Sequence, residues 1–254
     1  MLRFIIFSLL LLCPFLTLEA QTGTAFGIKG GLTLGNQNWN GSERELLPAY
    51  HGALTMESVN DSISLSFFGQ VGYHVKGSAI RFRGYQHPVT LQWIPGRTER
   101  YPFTQVSVVG GLKNRHEVGM FDAFYYLGIR VDYLLDYQVL NAHANNSGFD
   151  QYVNKVTYGV NIGGGIEYEF SNFPAAIFLD LSFQPDLGRQ IFLPGGQVFY
   201  IDRFTNQQIA YPEQKVLNRT IELALGVKFI RRVEWVDEWD DESLLKMHRS
   251  VAKR

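Results

Sequence analysis

The run Thr220-Ile-Glu-Leu-Ala-Leu-Gly-Val-Lys-Phe-Ile230 alternates without a break. Ile221, Leu223, Leu225, Val227 and Phe229 fall on one face at period two, and Glu222, Ala224, Gly226 and Lys228 on the other. Strict alternation marks a β-strand whose two faces meet different surroundings. In a soluble sandwich the apolar face would be the core. In a membrane barrel it would meet lipid, with small or charged residues filling the lumen. The rest of the chain decides between these two readings.

Working back from this run, the same pattern recurs seven times. It runs from Ala25 to Leu34 and from Tyr50 to Val59, then from Ile63 to Val75 and from Phe103 to Leu112. It returns from Ala123 to Tyr137, from Tyr158 to Phe170 and from Ile177 to Gln184. In the fifth run Tyr125, Leu127, Ile129, Val131, Tyr133, Leu135 and Tyr137 oppose Gly128, Arg130, Asp132 and Asp136. The connections alternate in length. Those after the first, third, fifth and seventh runs are long and polar, and those after the second, fourth and sixth are short, with Lys113 to Glu117 read as one compact turn. Short turns at one end and long loops at the other are the rhythm of an outer-membrane barrel. No amphipathic helix interrupts the runs, which disfavours α/β and α+β arrangements.

Composition agrees with this. The 254 residues suffice for one closed barrel, and at 46% hydrophobic content a helical membrane bundle is disfavoured. Thirteen Tyr and 19 Phe suit aromatic girdles, and 25 Gly suit crowded strands. The formal charge of -1 offers no general attraction to nucleic acid. At the N-terminus Arg3, the apolar stretch from Phe4 to Leu12 and the small-residue context before Gln21 predict a cleaved signal peptide over residues 1–20. The sole cysteine, Cys13, lies inside it, so neither disulfides nor thiolate chemistry are expected.

The expected architecture is therefore all-β: an eight-stranded antiparallel up-and-down transmembrane β-barrel over residues 21–230, followed by a charged tail over 231–254. An eight-stranded barrel is narrow enough for side chains to fill. Charges on its inner face must then pair, because an unpaired buried charge is costly. Lys29, Arg130, Asp132, Glu167, Glu169, Asp180, Glu222 and Lys228 are the expected lumenal network, and Glu57 and Lys76 share their face. Such a network leaves no open channel.

Four stretches resemble the PorT-like outer-membrane β-barrel proteins of Bacteroidota. They are Phe26-Gly-Ile-Lys-Gly-Gly-Leu-Thr-Leu34, Tyr158-Gly-Val-Asn-Ile-Gly-Gly-Gly-Ile-Glu-Tyr168, Leu179-Asp-Leu-Ser-Phe183 and Leu225-Gly-Val-Lys-Phe229. The resemblance implies a bacterial outer-membrane location and a non-enzymatic structural, assembly or secretion-associated role. It supplies no catalytic motif. A small ligand-binding or transport barrel and a lipid-modifying barrel enzyme are the alternatives.

Motifs for other chemistry are weak. Gly163-Gly-Gly165 lies inside a strand, where a phosphate loop would need a strand turning into a helix. The six histidines are scattered without metal-ligand spacing, so neither a metal nor a cofactor is expected. No Gly-x-Ser-x-Gly elbow is present. A lipid-modifying site would need a serine and an acid beside His74 at the outer end of the third strand, and no such set assembles from sequence. Asn40, Asn60, Asn146 and Asn218 read as polar loop residues. In the tail, Trp235 and Trp239 stand among carboxylates, and Leu244 and Met247 share a stripe. These four residues mark a candidate docking segment for envelope or secretion-machinery proteins, with membrane lipid the other expected partner.

Overall fold

The computed structural model describes residues 23–40, 43–59, 64–86, 90–137, 150–196, 199–201, 207–210 and 212–232. The predicted signal peptide, most of the tail and its Trp235, Trp239, Leu244 and Met247 lie outside the described residues. Eight long strands form the body. They are β1 (Gly23–Gln37), β2 (Leu47–Val59), β3 (Leu65–Phe82), β4 (Arg97–Val118), β5 (Phe121–Tyr137), β6 (Val156–Glu169), β7 (Ala175–Pro185) and β8 (Asn218–Arg232). Each pairs antiparallel with its neighbour in sequence, and β8 pairs with β1 to close the ring. Closure removes the sheet edges, which a lone sheet would have to protect.

The ring is staggered. Following partners from Gly27 through Thr55, Gln70, Val109, Arg130 and Gly159 leads to Asp186, just past β7, and from it to Asn218, the first residue of β8. Asn218 pairs with Gln37, so one circuit returns to β1 ten residues beyond its start. A stagger of this size tilts the strands to roughly 40°, within the range of closed barrels.

Alternation sorts the side chains. On β8 the even-numbered residues from Asn218 to Ile230 are buried and the odd-numbered ones from Arg219 to Phe229 exposed. The apolar half of every strand faces outward: Ile28, Leu54, Val71, Leu127, Ile129 and Leu225 are all more than half exposed. Toward the short-turn end the outer surface carries rings in contact, Phe121 with Tyr168, Tyr168 with Phe170 and Phe173 with Phe229. Toward the long-loop end it carries the exposed Tyr50, Tyr133 and Tyr158. From Ile221 to Phe229 the apolar face of β8 spans about 20 Å along the barrel axis, at ~3.3 Å per residue and ~40° tilt. With its aromatic margins this matches the roughly 25 Å apolar band of a membrane barrel. A continuous apolar surface of this kind is not stable against water. Among the described residues no helix is long and apolar enough to cross a membrane.

The structure corrects the sequence reading at several strand ends. Lys113 to Glu117 is not a turn: β4 continues through it, and the turn is Gly119–Met120, with Gly119 at φ +65°. β4 also begins at Arg97 rather than Phe103, and β3 runs on to Phe82. His74 and Lys76 therefore sit well inside the barrel rather than at its outer end. A register shift between Thr104 and Gln105 pairs these residues with Asp136 and Leu134, leaving Leu135 as the extra residue. The bulge reverses the alternation, so Asp136 is exposed and Tyr137, expected outside, stacks on the buried Phe103 with centroids 5.8 Å apart. At the far end β8 continues to Arg232, two residues into the expected tail.

Candidate functional site

The inward faces of the eight strands meet in one continuous polar interior. Among the described residues it holds six cations and six carboxylates, five of the carboxylates paired with Lys or Arg and the sixth, Glu222, facing His51 and His74. The cations are Lys29, Lys76, Lys113, Arg115, Arg130 and Lys228; the carboxylates are Glu57, Asp132, Glu167, Asp180, Asp186 and Glu222. With neutral histidines the interior carries no net charge. This balance is what burial demands, because a charge without a partner would cost several kcal/mol, on the order of 3–5.

The pairs are arranged in tiers. Nearest the short-turn end, Lys113, Arg115 and Lys228 surround Glu57 and Glu167. The distances are Lys113–Glu57 2.9 Å, Arg115–Glu57 2.6 Å and Lys228–Glu167 2.6 Å. Above them Lys29 lies 2.5 Å from Asp180, which also accepts a hydrogen bond from the Tyr126 hydroxyl at 3.0 Å. Phe68, Phe124, Tyr126 and Phe178 line this level, and Lys113 Nζ sits 4.1 Å from the centroid of the Phe124 ring. Glycines make the room. A Cβ on Gly163 would lie 2.4 Å from the Tyr126 hydroxyl, and one on Gly165 only 1.9 Å from the Leu179 carbonyl oxygen. Between these two tiers lies a cavity of ≈ 40 Å³, lined by Lys29, Glu57, Gln70, Lys113, Asp180 and Lys228 among others. That suits a few waters rather than an organic ligand.

The next tier centres on Glu222. The rings of His51 and His74 stack with centroids 5.6 Å apart and 3° between planes. His74 Nδ1 lies 2.5 Å from Glu222 Oε1, and Gln184 Nε2 donates to Oε2 at 2.5 Å. Thr33 Oγ1 is 3.1 Å from His51 Nδ1. A hydroxyl, two imidazoles and a carboxylate suggest a nucleophile, base and acid. All four residues are buried. Their geometry is that of a structural polar cluster.

The uppermost tier is built on Arg130, which is fully buried. Its Nε donates to Asp132 at 2.8 Å, one Nη to Gln184 at 3.0 Å and the other to Asp186. Lys76 reaches the same Asp132 oxygen at 3.0 Å. Asn218, expected in a loop, is buried here and donates to Asp186 at 2.7 Å.

Seven of the eight residues expected in the lumen stand in this interior. Glu169 does not: it is partly exposed at the rim, 2.8 Å from Arg232. Sequence reasoning missed Lys113 and Arg115, hidden in what looked like a turn. Period two continues through them from Val109 and Gly111, and that was the available signal. It also missed the His51–His74 pair, because partners from two strands show no spacing in sequence. Asp186 was missed because it lies beyond the end of the alternating run.

Above Arg130 the long-loop end is closed by an apolar cluster. Trp39, Tyr101, Phe103, Leu134, Ile191 and Val216 are among its buried members. Ile191–Leu193 and Gln214–Val216, both from the β7–β8 connection, pair as a small hairpin whose Ile191, Leu193 and Val216 are at most 1% exposed.

Fold and interior together define a class, the small membrane-spanning β-barrel with a filled lumen. No protein-family model matches the chain, and no curated protein matches it in sequence. Among solved structures it is similar to neisserial surface protein A, at 10% identity over 81% of this chain and 97% of that one, with a TM-score of 0.40. It is also similar to the N-terminal β-barrel domain of Pseudomonas aeruginosa OprF (10% identity, 84% and 100% coverage, TM-score 0.35) and to a major outer membrane protein from Thermus thermophilus (11% identity, 82% and 99% coverage, TM-score 0.40). Likenesses at these identities say nothing of a shared activity.

Proposed function

We propose that this chain is a non-enzymatic bacterial outer-membrane protein, a sealed barrel with a structural, assembly or secretion-associated role. The observation that carries the reading is the filled interior: an ion-pair network crosses the lumen in tiers and an apolar cluster caps it. A barrel built this way holds a position in the membrane and displays what lies at its two ends. It does not carry solute. The resemblance to PorT-like proteins supports the secretion-associated version, with residues 233–254, beyond the end of β8, as the inner docking segment and the leader over 1–20 as the export signal.

Mild-detergent purification of the intact protein from its native envelope tests this role. Other envelope or secretion-machine subunits are expected to co-purify, and removing residues 233–254 is expected to release them while the barrel still inserts. A barrel that purifies alone, or one whose partners ignore the truncation, contradicts the docking role.

A further inference from the structure

We infer that the outer wall at the long-loop margin of β7 and β8, with Arg189 and Arg219 as its cations, binds the phosphate groups of a phosphorylated glycolipid in the outer leaflet. This rests on the outer-membrane reading and adds a lipid ligand to it.

The height is set by β8. Its outward apolar residues end at Ile221, which stands between Leu34 of β1 and Phe183 of β7. Arg219 is the next outward residue, exposed and flanked by Asn36 and Pro185. Two residues of a tilted strand rise about 5 Å along the barrel axis. Arg219 therefore lies one step beyond the apolar band, at the level of lipid headgroups.

An irregularity in the chain brings Arg189 to the same margin. The Asp186 amide donates to the Asn218 carbonyl at 3.0 Å, and the Gln190 amide to the Val216 carbonyl at 2.8 Å. Four steps along the connection thus match two along the facing chain. Leu187, Gly188 and Arg189 are left off that ladder, as the surplus residues of a β-bulge are. Leu187 and Gly188 donate instead to the Tyr158 carbonyl of β6, and Leu187 and Arg189 are both exposed. The Arg189 carbonyl accepts a hydrogen bond from Asn154 Nδ2 at 2.7 Å, and its guanidinium lies 5.2 Å from the centroid of the Phe192 ring. An arginine placed over a ring keeps the N–H groups at its edge for another acceptor.

Neither charge is spent within the described protein. Asp186 is taken up inside by Arg130 and Asn218, and Glu213 pairs with Lys215. Among the described residues no carboxylate pairs with Arg189 or Arg219. Below them Phe183, Leu181, Ile221 and Leu223 are all exposed and offer a surface for acyl chains. Cations one step beyond an apolar wall match an anionic headgroup carried on such chains. The guanidinium fork also fits phosphate oxygens two at a time. At the other margin of the same face of β8, Arg231 stands opposite Thr24 and serves as the control.

The test is a titration of the full chain, folded in neutral detergent, with lipid A, a bisphosphorylated glycolipid, the bound fraction being read by native mass spectrometry. Arg189→Gln and Arg219→Gln should each weaken binding roughly fivefold, and the two together roughly 25-fold, the share of one cation near an anionic surface being counted once for each. Arg231→Gln should leave binding unchanged, and lysine at both positions should keep most of it. Removing the phosphates from the glycolipid should weaken binding by the unmodified chain to the level of the double variant. Inorganic phosphate at matched concentration should not displace the glycolipid. Heat-modifiable gel mobility shows which variants are folded; if the double variant is not, the phosphate-free glycolipid gives the answer on the unmodified chain. A folded double variant that binds like the parent, a parent indifferent to the phosphates, or displacement by inorganic phosphate overturns the inference. A chain that fails to insert into lipid vesicles at all would instead overturn the membrane reading beneath it.

Discussion

Arg130→Ala is expected to lower the stability of the folded barrel by about 3–5 kcal/mol, the cost of removing one partner from a buried ion-pair network. Arg130 is fully buried and serves Asp132, Gln184 and Asp186 at once. Its loss leaves Asp186 with Asn218 alone, and Asp132 with Lys76 alone. Urea unfolding in lipid vesicles, followed by tryptophan fluorescence, measures the change. Lys would not rescue it fully, because a single ammonium cannot donate in three fixed directions as guanidinium does. A loss below about 1 kcal/mol, the size of a surface ion pair, would show that the tier is hydrated rather than sealed.

Leu225→Arg is expected to cost about 2–4 kcal/mol of insertion stability, the range for a cation near the bilayer midplane on the lipid face of a barrel. Leu225 is 65% exposed in the middle of the apolar face of β8, between Gly30 of β1 and Leu179 of β7. The same change at Leu34, near the outer margin of the band, should cost only about 0–1 kcal/mol, because the side chain reaches the interface. The contrast between the two positions is the signature of a bilayer. A soluble barrel would tolerate, and even favour, arginine at both.

The closing strand shows why so much of the fold was legible. Between Ile221 and Phe229 each residue's face follows from period two alone, because lipid on one side and lumen on the other leave no mixed positions. Legibility fails where that division fails. Toward the long-loop end the inward face turns apolar and packs with Ile191 and Val216, so Tyr101, Phe103 and Leu134 are inside although their chemistry suits the lipid face. The bulge at Leu135 then reverses the phase and carries Tyr137 inward. At the other end, Lys113 and Arg115 have the composition of a turn, yet their charge is what Glu57 and Glu167 require. Membership of the interior could be read from parity, but partnership could not. Lys29 meets Asp180 across 151 residues because the stagger of the ring brings them to one height.

Planar-bilayer recording of the purified, folded protein tests the sealed barrel most directly. The tiers of ion pairs and the apolar cap predict insertion without a large, steady conductance. A stable, porin-like open level from the unmodified chain would contradict them.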